Sequence, residues 1–187
     1  MSFLNAIKAF WLKRSLKKNL PQAKSLNYQK SSDFCIMLEV SSETDFKSLQ
    51  TFIRPLQQDG KTLSLILFLS ERIPEDAIPT FEKCTVYPLK EADFWWKAFL
   101  KKRRHALLEA VFQQEFDFSI KIMPQLSFWG LTYLFSKISS SIKIGVHNEA
   151  EQGVYDVMVA AQKDMKLSDY LQFVAKLLAE DKINKRL

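Results

Sequence analysis

The stretch FCIMLEVSSETDFKSLQTFIRPLQQ, residues 34–58, decides the fold class. Its first seven residues are almost continuously apolar, as expected of a parallel strand that is covered on both faces. Ser42 and Asp45 then have the S-x-x-D spacing of a capping box, and apolar side chains recur at helical spacing from Phe46 to Leu56. A buried strand that runs directly into an amphipathic helix opens a β-α-β unit, so this stretch predicts an α/β protein.

The same alternation of strand and helix continues toward the carboxyl end. Further strands are predicted at 62–69, 84–87, 116–123, 142–146 and 154–160, and further helices at 91–114, 125–138 and 168–181. The pattern is typical of a single three-layer α/β/α, Rossmann-like domain with a mainly parallel sheet of five to six strands. The order of the strands within the sheet is not encoded in such a pattern.

The net charge of +6 comes from the first thirty residues, which hold seven of the 27 basic residues and none of the 21 acidic ones. Residues 2–18 are predicted to form a helix, whose second half carries Lys13, Arg14, Lys17 and Lys18. We therefore expect two parts, a basic N-terminal helix with its connector at 1–32 and the Rossmann-like domain at 33–187. The helix either packs on its own core or docks on a partner or an anionic membrane surface.

Composition excludes several classes of protein. No apolar run reaches the roughly 18–20 residues that span a bilayer, and no secretory signal pattern is present. Cys35 and Cys84 stand far apart without a C-x-x-C pattern, which is typical of a reducing compartment. The expected location is cytoplasmic, with the inner face of the membrane as the alternative. Two histidines and two cysteines form none of the usual zinc spacings, so no metal is expected.

Catalytic candidates are sought where the strands end, because ligands of open α/β sheets bind at the carboxyl edge. The candidates there are Glu43 and His147, of which His147 has the ordinary pKa of a general base. A solvated loop histidine has the same sequence context. No glycine stands between the first strand and the first helix, so a dinucleotide cofactor is not expected.

A second basic cluster lies next to the aromatic residues Phe94, Trp95, Trp96 and Phe99, and it comprises Lys97, Lys101, Lys102, Arg103 and Arg104. Cations among aromatic rings can bind nucleic acid or lipid headgroups, and a solvated helix whose aromatic residues pack on the sheet has the same composition. The predicted helix at 125–138 has almost no polar face. It is either deeply covered or a contact to a protein partner, such as a second copy of the chain.

The order of these features resembles an uncharacterised family of small bacterial α/β proteins. The matching motifs are Asn19-Leu20-Pro21, Asn27-Tyr28-Gln29-Lys30, Val40-Ser41-Ser42-Glu43, Phe116-Asp117-Phe118, Ile142-Lys143-Ile144-Gly145 and Tyr155-Asp156-Val157. The later half is also similar to one Rossmann-like half of the two-domain nucleotide-sugar glycosyltransferases. That second resemblance implies a fold and no catalytic residues.

Three classes of function remain open at this level. The first is a non-catalytic interaction module whose basic N-terminal helix packs on the core or docks on a partner or an anionic membrane surface, and the sequence favours it. The second is a small Rossmann-like enzyme or a degenerate glycosyltransferase-like domain, with His147 and Glu43 as the residues to test. The third is a nucleic-acid binder, whose affinity would fall steeply with salt.

Overall fold

The computed structural model describes residues 28–95, 98–123, 129–146, 153–160 and 165–179. These residues form eight strands and five helices, with short 3-10 turns between them. In chain order they are β1 (Asp33–Val40), α1 (Glu43–Gln58), β2 (Thr62–Leu69), β3 (Cys84–Leu89), β4 (Phe94–Trp95), β5 (Phe99–Leu100), α2 (Lys102–Leu107), α3 (Glu109–Gln113), β6 (Glu115–Ile122), α4 (Trp129–Lys137), β7 (Ser139–Val146), β8 (Val157–Val159) and α5 (Leu167–Ala179).

Six of the strands form one parallel sheet in the order β3-β2-β1-β6-β7-β8. The α/β class and the parallel sheet predicted from the sequence are confirmed. The first strand of the chain lies in the centre, where Phe34 pairs with Leu63 on one side and with Phe118 on the other. Both neighbours are apolar, which explains why β1 is buried over nearly its whole length.

Helices cover both faces of the sheet. α1 and α5 pack on one face, where the Phe34 and Phe118 rings stack with centroids 5.1 Å apart. α3 and α4 pack on the other face, onto which Cys35 and Met37 point. Right-handed crossovers explain why α1 and α4 lie on opposite faces, because the chain moves from β1 toward one edge and from β6 toward the other.

Hydrogen bonds at the ends of the elements confirm the predicted capping box and show how two aspartates hold neighbouring segments. The Asp45 carboxylate accepts hydrogen bonds from the backbone N–H groups of Ser41 and Ser42, as a capping box requires. Asp117 accepts from the N–H of Ser32 at 2.6 Å, and Asp156 accepts from the N–H of Lys143 at 2.8 Å. Both aspartates therefore fix neighbouring strands, as acceptors at strand ends are expected to do.

The single long helix predicted at 91–114 is wrong. A 3-10 turn at Glu91–Asp93 leads into an antiparallel hairpin of β4 and β5, and two short helices, α2 and α3, follow. Alternation explains the difference, because Phe94 is buried while Trp95, the next residue, faces solvent, as in a strand.

Other boundaries shift by a few residues. β7 begins at Ser139, earlier than predicted, and β8 spans Val157–Val159 alone. The described part of the apolar helix, α4, is covered along most of its length, with Leu131, Leu134 and Phe135 in the core. The predicted N-terminal helix with Lys13, Arg14, Lys17 and Lys18 lies outside the described residues.

Candidate functional site

The crevice between β1 and β6 is where ligands bind in sheets of this kind. The chain leaves β1 toward β2 and leaves β6 toward β7, in opposite directions, so the loops after the two strands separate. Such a switch point opens a crevice at the carboxyl edge of the sheet.

The turn from β1 to α1 is filled by its own side chains. Asp45 Oδ2 lies 2.8 Å from the Ser41 nitrogen and 2.9 Å from the Ser42 nitrogen, so two amides that could hold a phosphate are already bonded to a carboxylate. Ser41 Oγ donates to Glu39 Oε1 at 3.1 Å, which adds a second acid to the turn. Two carboxylates would repel a pyrophosphate, so this turn is not suited to the usual dinucleotide contact.

The two catalytic candidates are not brought together by what the structure describes. Glu43 lies in the first turn of α1 and is exposed to solvent. His147 follows directly after β7 and lies outside the described residues. Their catalytic roles stay predictions from the sequence.

Two buried lysines lie on the face of the sheet that α4 covers. Lys121 on β6 is 3% exposed, and its Nζ donates to Thr132 Oγ1 at 3.0 Å. Lys143 on β7 is 4% exposed, and its Nζ donates to the carbonyls of Phe135 at 3.3 Å and Ser136 at 3.1 Å. Those carbonyls lie in the last turn of α4, where the helix dipole stabilises a cation.

Sequence reasoning missed both lysines because polar residues that alternate along a strand indicate a solvated face. Here the alternating polar residues face α4 instead. Burial on this face raises the pKa of the Cys35 thiol to about 12, because desolvation disfavours the charged thiolate. The nearby positive charge of Lys143 offsets part of the rise.

Exposed aromatic and basic side chains meet on the hairpin and on α2. Trp95 is 57% exposed, Phe99 opposite it is 44% exposed, and Leu107 at the end of α2 is 53% exposed. The Lys101 ammonium lies 5.6 Å from the centre of the Trp95 ring. Of the two alternatives for this cluster, packing of the aromatic residues on the sheet applies to Phe94, whereas Trp95 and Phe99 are exposed.

We call this surface the basic-aromatic patch and define it by Trp95, Phe99, Lys101, Lys102, Arg103 and Leu107. The three cations are exposed. Arg103 and Leu107 stand four residues apart on α2, so they share a face of that helix.

Arg104 differs from its basic neighbours because it is bonded within the fold. Its Nε donates to Asp93 Oδ1 at 2.9 Å, and its Nη2 donates to Glu75 Oε1. Asp93 also accepts from the Lys90 nitrogen at 2.8 Å. Arg104 therefore ties α2 to the turn before the hairpin, and we place it beneath the patch as a support.

The described residues contain no group of three or more His, Cys, Asp or Glu side chains arranged to hold a metal ion. Over the same residues, no helix combines the length and the apolar composition that crossing a membrane requires.

The strand order and the helices on both faces define a doubly wound α/β protein of the Rossmann type, with an acidic first turn. The profile of a family described as "Family of unknown function (DUF6913)" matches residues 8–179, and the chain belongs to that family. No curated protein and no solved structure match the chain. The comparisons give no support to the resemblance to glycosyltransferases.

Proposed function

We propose that this protein is a non-catalytic binding module that attaches peripherally to an anionic membrane surface through the basic-aromatic patch. The observation that carries the proposal is the exposure of Trp95, Phe99 and Leu107 beside three cations. Exposed aromatic and aliphatic side chains next to lysine and arginine are typical of surfaces that lie in the headgroup layer of a bilayer.

The energetics are sufficient for reversible attachment. Each Lys or Arg near an anionic leaflet contributes about 1 kcal/mol, so Lys101, Lys102 and Arg103 together contribute about 3 kcal/mol. Partial burial of the two rings and of Leu107 adds to this at about 25 cal/mol per Å² of apolar surface. The basic residues at 13–18, which belong to the predicted N-terminal helix, would strengthen the same attraction.

Two features favour a membrane over a single-stranded nucleic acid. Bases stack on free aromatic faces, whereas Lys101 lies over the ring of Trp95. Leu107 adds an aliphatic group that suits acyl chains better than bases.

Flotation of the full-length protein with phosphatidylcholine vesicles, with and without phosphatidylglycerol, tests the proposal. Lys101→Gln combined with Lys102→Gln should lower partitioning onto the anionic vesicles about thirtyfold, which is what a loss of about 2 kcal/mol produces. Arg72→Gln combined with Lys176→Gln removes the same charge from exposed positions outside the patch and should change partitioning far less.

The aromatic contribution is tested by Trp95→Ser combined with Phe99→Ser. Phe173→Ser on α5 is the matched control, because Phe173 is 48% exposed on the opposite layer. Equal binding by the patch variants and the wild type would contradict the proposal. Salt-dependent binding to an oligonucleotide without binding to vesicles would support the nucleic-acid alternative instead.

A further inference from the structure

A groove of about 540 Å³ lies between α1 and residues 80–82, the segment that leads into β3. The side chains of Ile53 and Phe81 are buried beneath it, and most of the remaining lining is polar. Its volume falls within the range of about 300–1,000 Å³ that is usual for ligand sites. The groove belongs to the layer of α1 and α5, on the other side of the sheet from the basic-aromatic patch.

The charges that line the groove are mainly positive. Lys47 and Arg54 lie two helical turns apart on one face of α1, which separates them by about 10 Å along the axis. Neither side chain forms an ion pair with another described residue, so both charges are available to a ligand. The opposite wall contributes one acidic residue, Glu82, so the charged residues that line the groove sum to one positive charge.

Gln50 lies between the two cations along the same helix face and also lines the groove. A glutamine amide both donates and accepts, which matches the N–H and C=O groups of an extended peptide. A peptide rises about 3.3 Å per residue, so carboxylates about three residues apart would reach both cations.

The opposite wall is held in place before any ligand binds. Gln57 Nε2 donates to the Glu82 carbonyl and also contacts Cys84 Sγ at 3.4 Å, which joins α1 to the segment that faces it. A wall fixed in this way loses little conformational entropy on binding.

We propose that this groove binds an extended acidic segment of a partner protein. The charge of the groove selects carboxylates, and the amide between the cations selects a peptide backbone over a small dicarboxylate. The site goes beyond the proposed membrane attachment and is independent of it, because the two surfaces lie on opposite layers.

Titration of the full-length protein with a capped hexaglutamate peptide, followed by ¹H-¹⁵N chemical shifts, tests this site. Saturable shifts should appear on α1 and at residues 80–82. Lys47→Gln and Arg54→Gln should each weaken binding about tenfold, as expected when a charge-assisted hydrogen bond is lost. Arg72→Gln, an exposed control outside the groove, should bind like the wild type.

Absence of saturable shifts, or binding by Lys47→Gln and Arg54→Gln as tight as that of the wild type, would overturn the proposal. Equally tight binding of free glutarate would also overturn it, because the backbone would then contribute nothing. Arg54→Gln should float with anionic vesicles like the wild type, so this test and that of the membrane proposal can fail separately.

Discussion

At the scale of single residues, the buried lysines on β6 and β7 show how a polar group becomes part of a core. Lys143 lies in the same register as Ser119 and Cys35, across three neighbouring strands. Its ammonium is stabilised because the end of α4 supplies two carbonyl acceptors. Burial of this charge thus depends on where a helix ends, which no pattern within β7 reveals.

The thiol of Cys35 should resist alkylation in the folded protein. Its pKa is raised to about 12, so the reactive thiolate at neutral pH is about a thousandfold less abundant than in a thiol of pKa 9.0. Because the folded-state pKa is the higher one, the fold favours the protonated thiol. This contribution to stability is fully present below pH 9.0 and is lost as pH rises from there through about 12.

Iodoacetamide labelling followed by peptide mass spectrometry checks this expectation. Cys84, which is half-buried, should be modified well before Cys35 although burial also raises its pKa. Equal labelling rates for the two cysteines would contradict the expectation that the Cys35 thiol is protected.

Gly145→Ala should lower the free energy of unfolding by about 1–3 kcal/mol. A Cβ at this position of β7 would overlap the ring of Tyr155, which packs directly on the glycine backbone. Thermal and urea unfolding measure the loss. Combining Gly145→Ala with Tyr155→Ala removes the overlap, so the double variant should be more stable than the sum of the two single losses predicts.

At the scale of elements, sequence periodicity located the strand and helix units and failed at the hairpin. Strands such as β1 and helices such as α1 are long enough for their apolar spacing to be distinctive. β4 and β5 contain two residues each, and a pattern that short cannot be told from one turn of a helix. The sequence therefore identified the aromatic and basic residues of the patch but placed them on one long helix, whereas they lie on a hairpin and a short helix.

Arg104→Gln should loosen the hairpin and lower the free energy of unfolding by about 1–2 kcal/mol. The substitution removes the guanidinium that joins Asp93 to Glu75, and it leaves the half-buried Asp93 without that partner. Amide hydrogen exchange should increase at Ala98 and Lys101, whose N–H groups close the hairpin. Arg103→Gln, an exposed neighbour, should change stability by less than about 0.5 kcal/mol.

At the scale of the whole molecule, the sequence predicted the class of fold and could not predict the order of the strands. Pairing in a parallel sheet joins residues far apart in the chain, as with Phe34 and Phe118, and no local pattern records the partner. The same limit applies to the candidate crevice. Glu43 follows β1 directly in the chain, so its place could be predicted, whereas Lys121 lies beside Met37 of β1 only because β6 pairs with that strand.

The domain as folded includes the turn before β1. The Nζ of the buried Lys61 donates to the carbonyls of Tyr28 at 3.0 Å and Ser31 at 2.6 Å. A chain that begins at Asp33 should therefore be less stable by about 1–3 kcal/mol than one that begins at Tyr28, because a buried charge loses its acceptors.

Thermal unfolding of the two chains measures that difference. Lys61→Met should reduce the difference in stability between the two chains, because an apolar side chain of similar length needs no hydrogen-bond acceptor. Equal stability of the two chains with Lys61 intact would contradict the role assigned to the turn and support the predicted boundary at residue 33.

The central position of the first strand has a consequence for synthesis. β1, β2 and β3 leave the ribosome first and can pair with one another, but the other edge of β1 pairs only with β6. Until α3 and β6 have been translated, a strand of almost uninterrupted apolar residues presents unpaired backbone groups. The nascent half-sheet is thus the species that chaperones would have to shield, and slow translation of the hairpin would prolong its exposure.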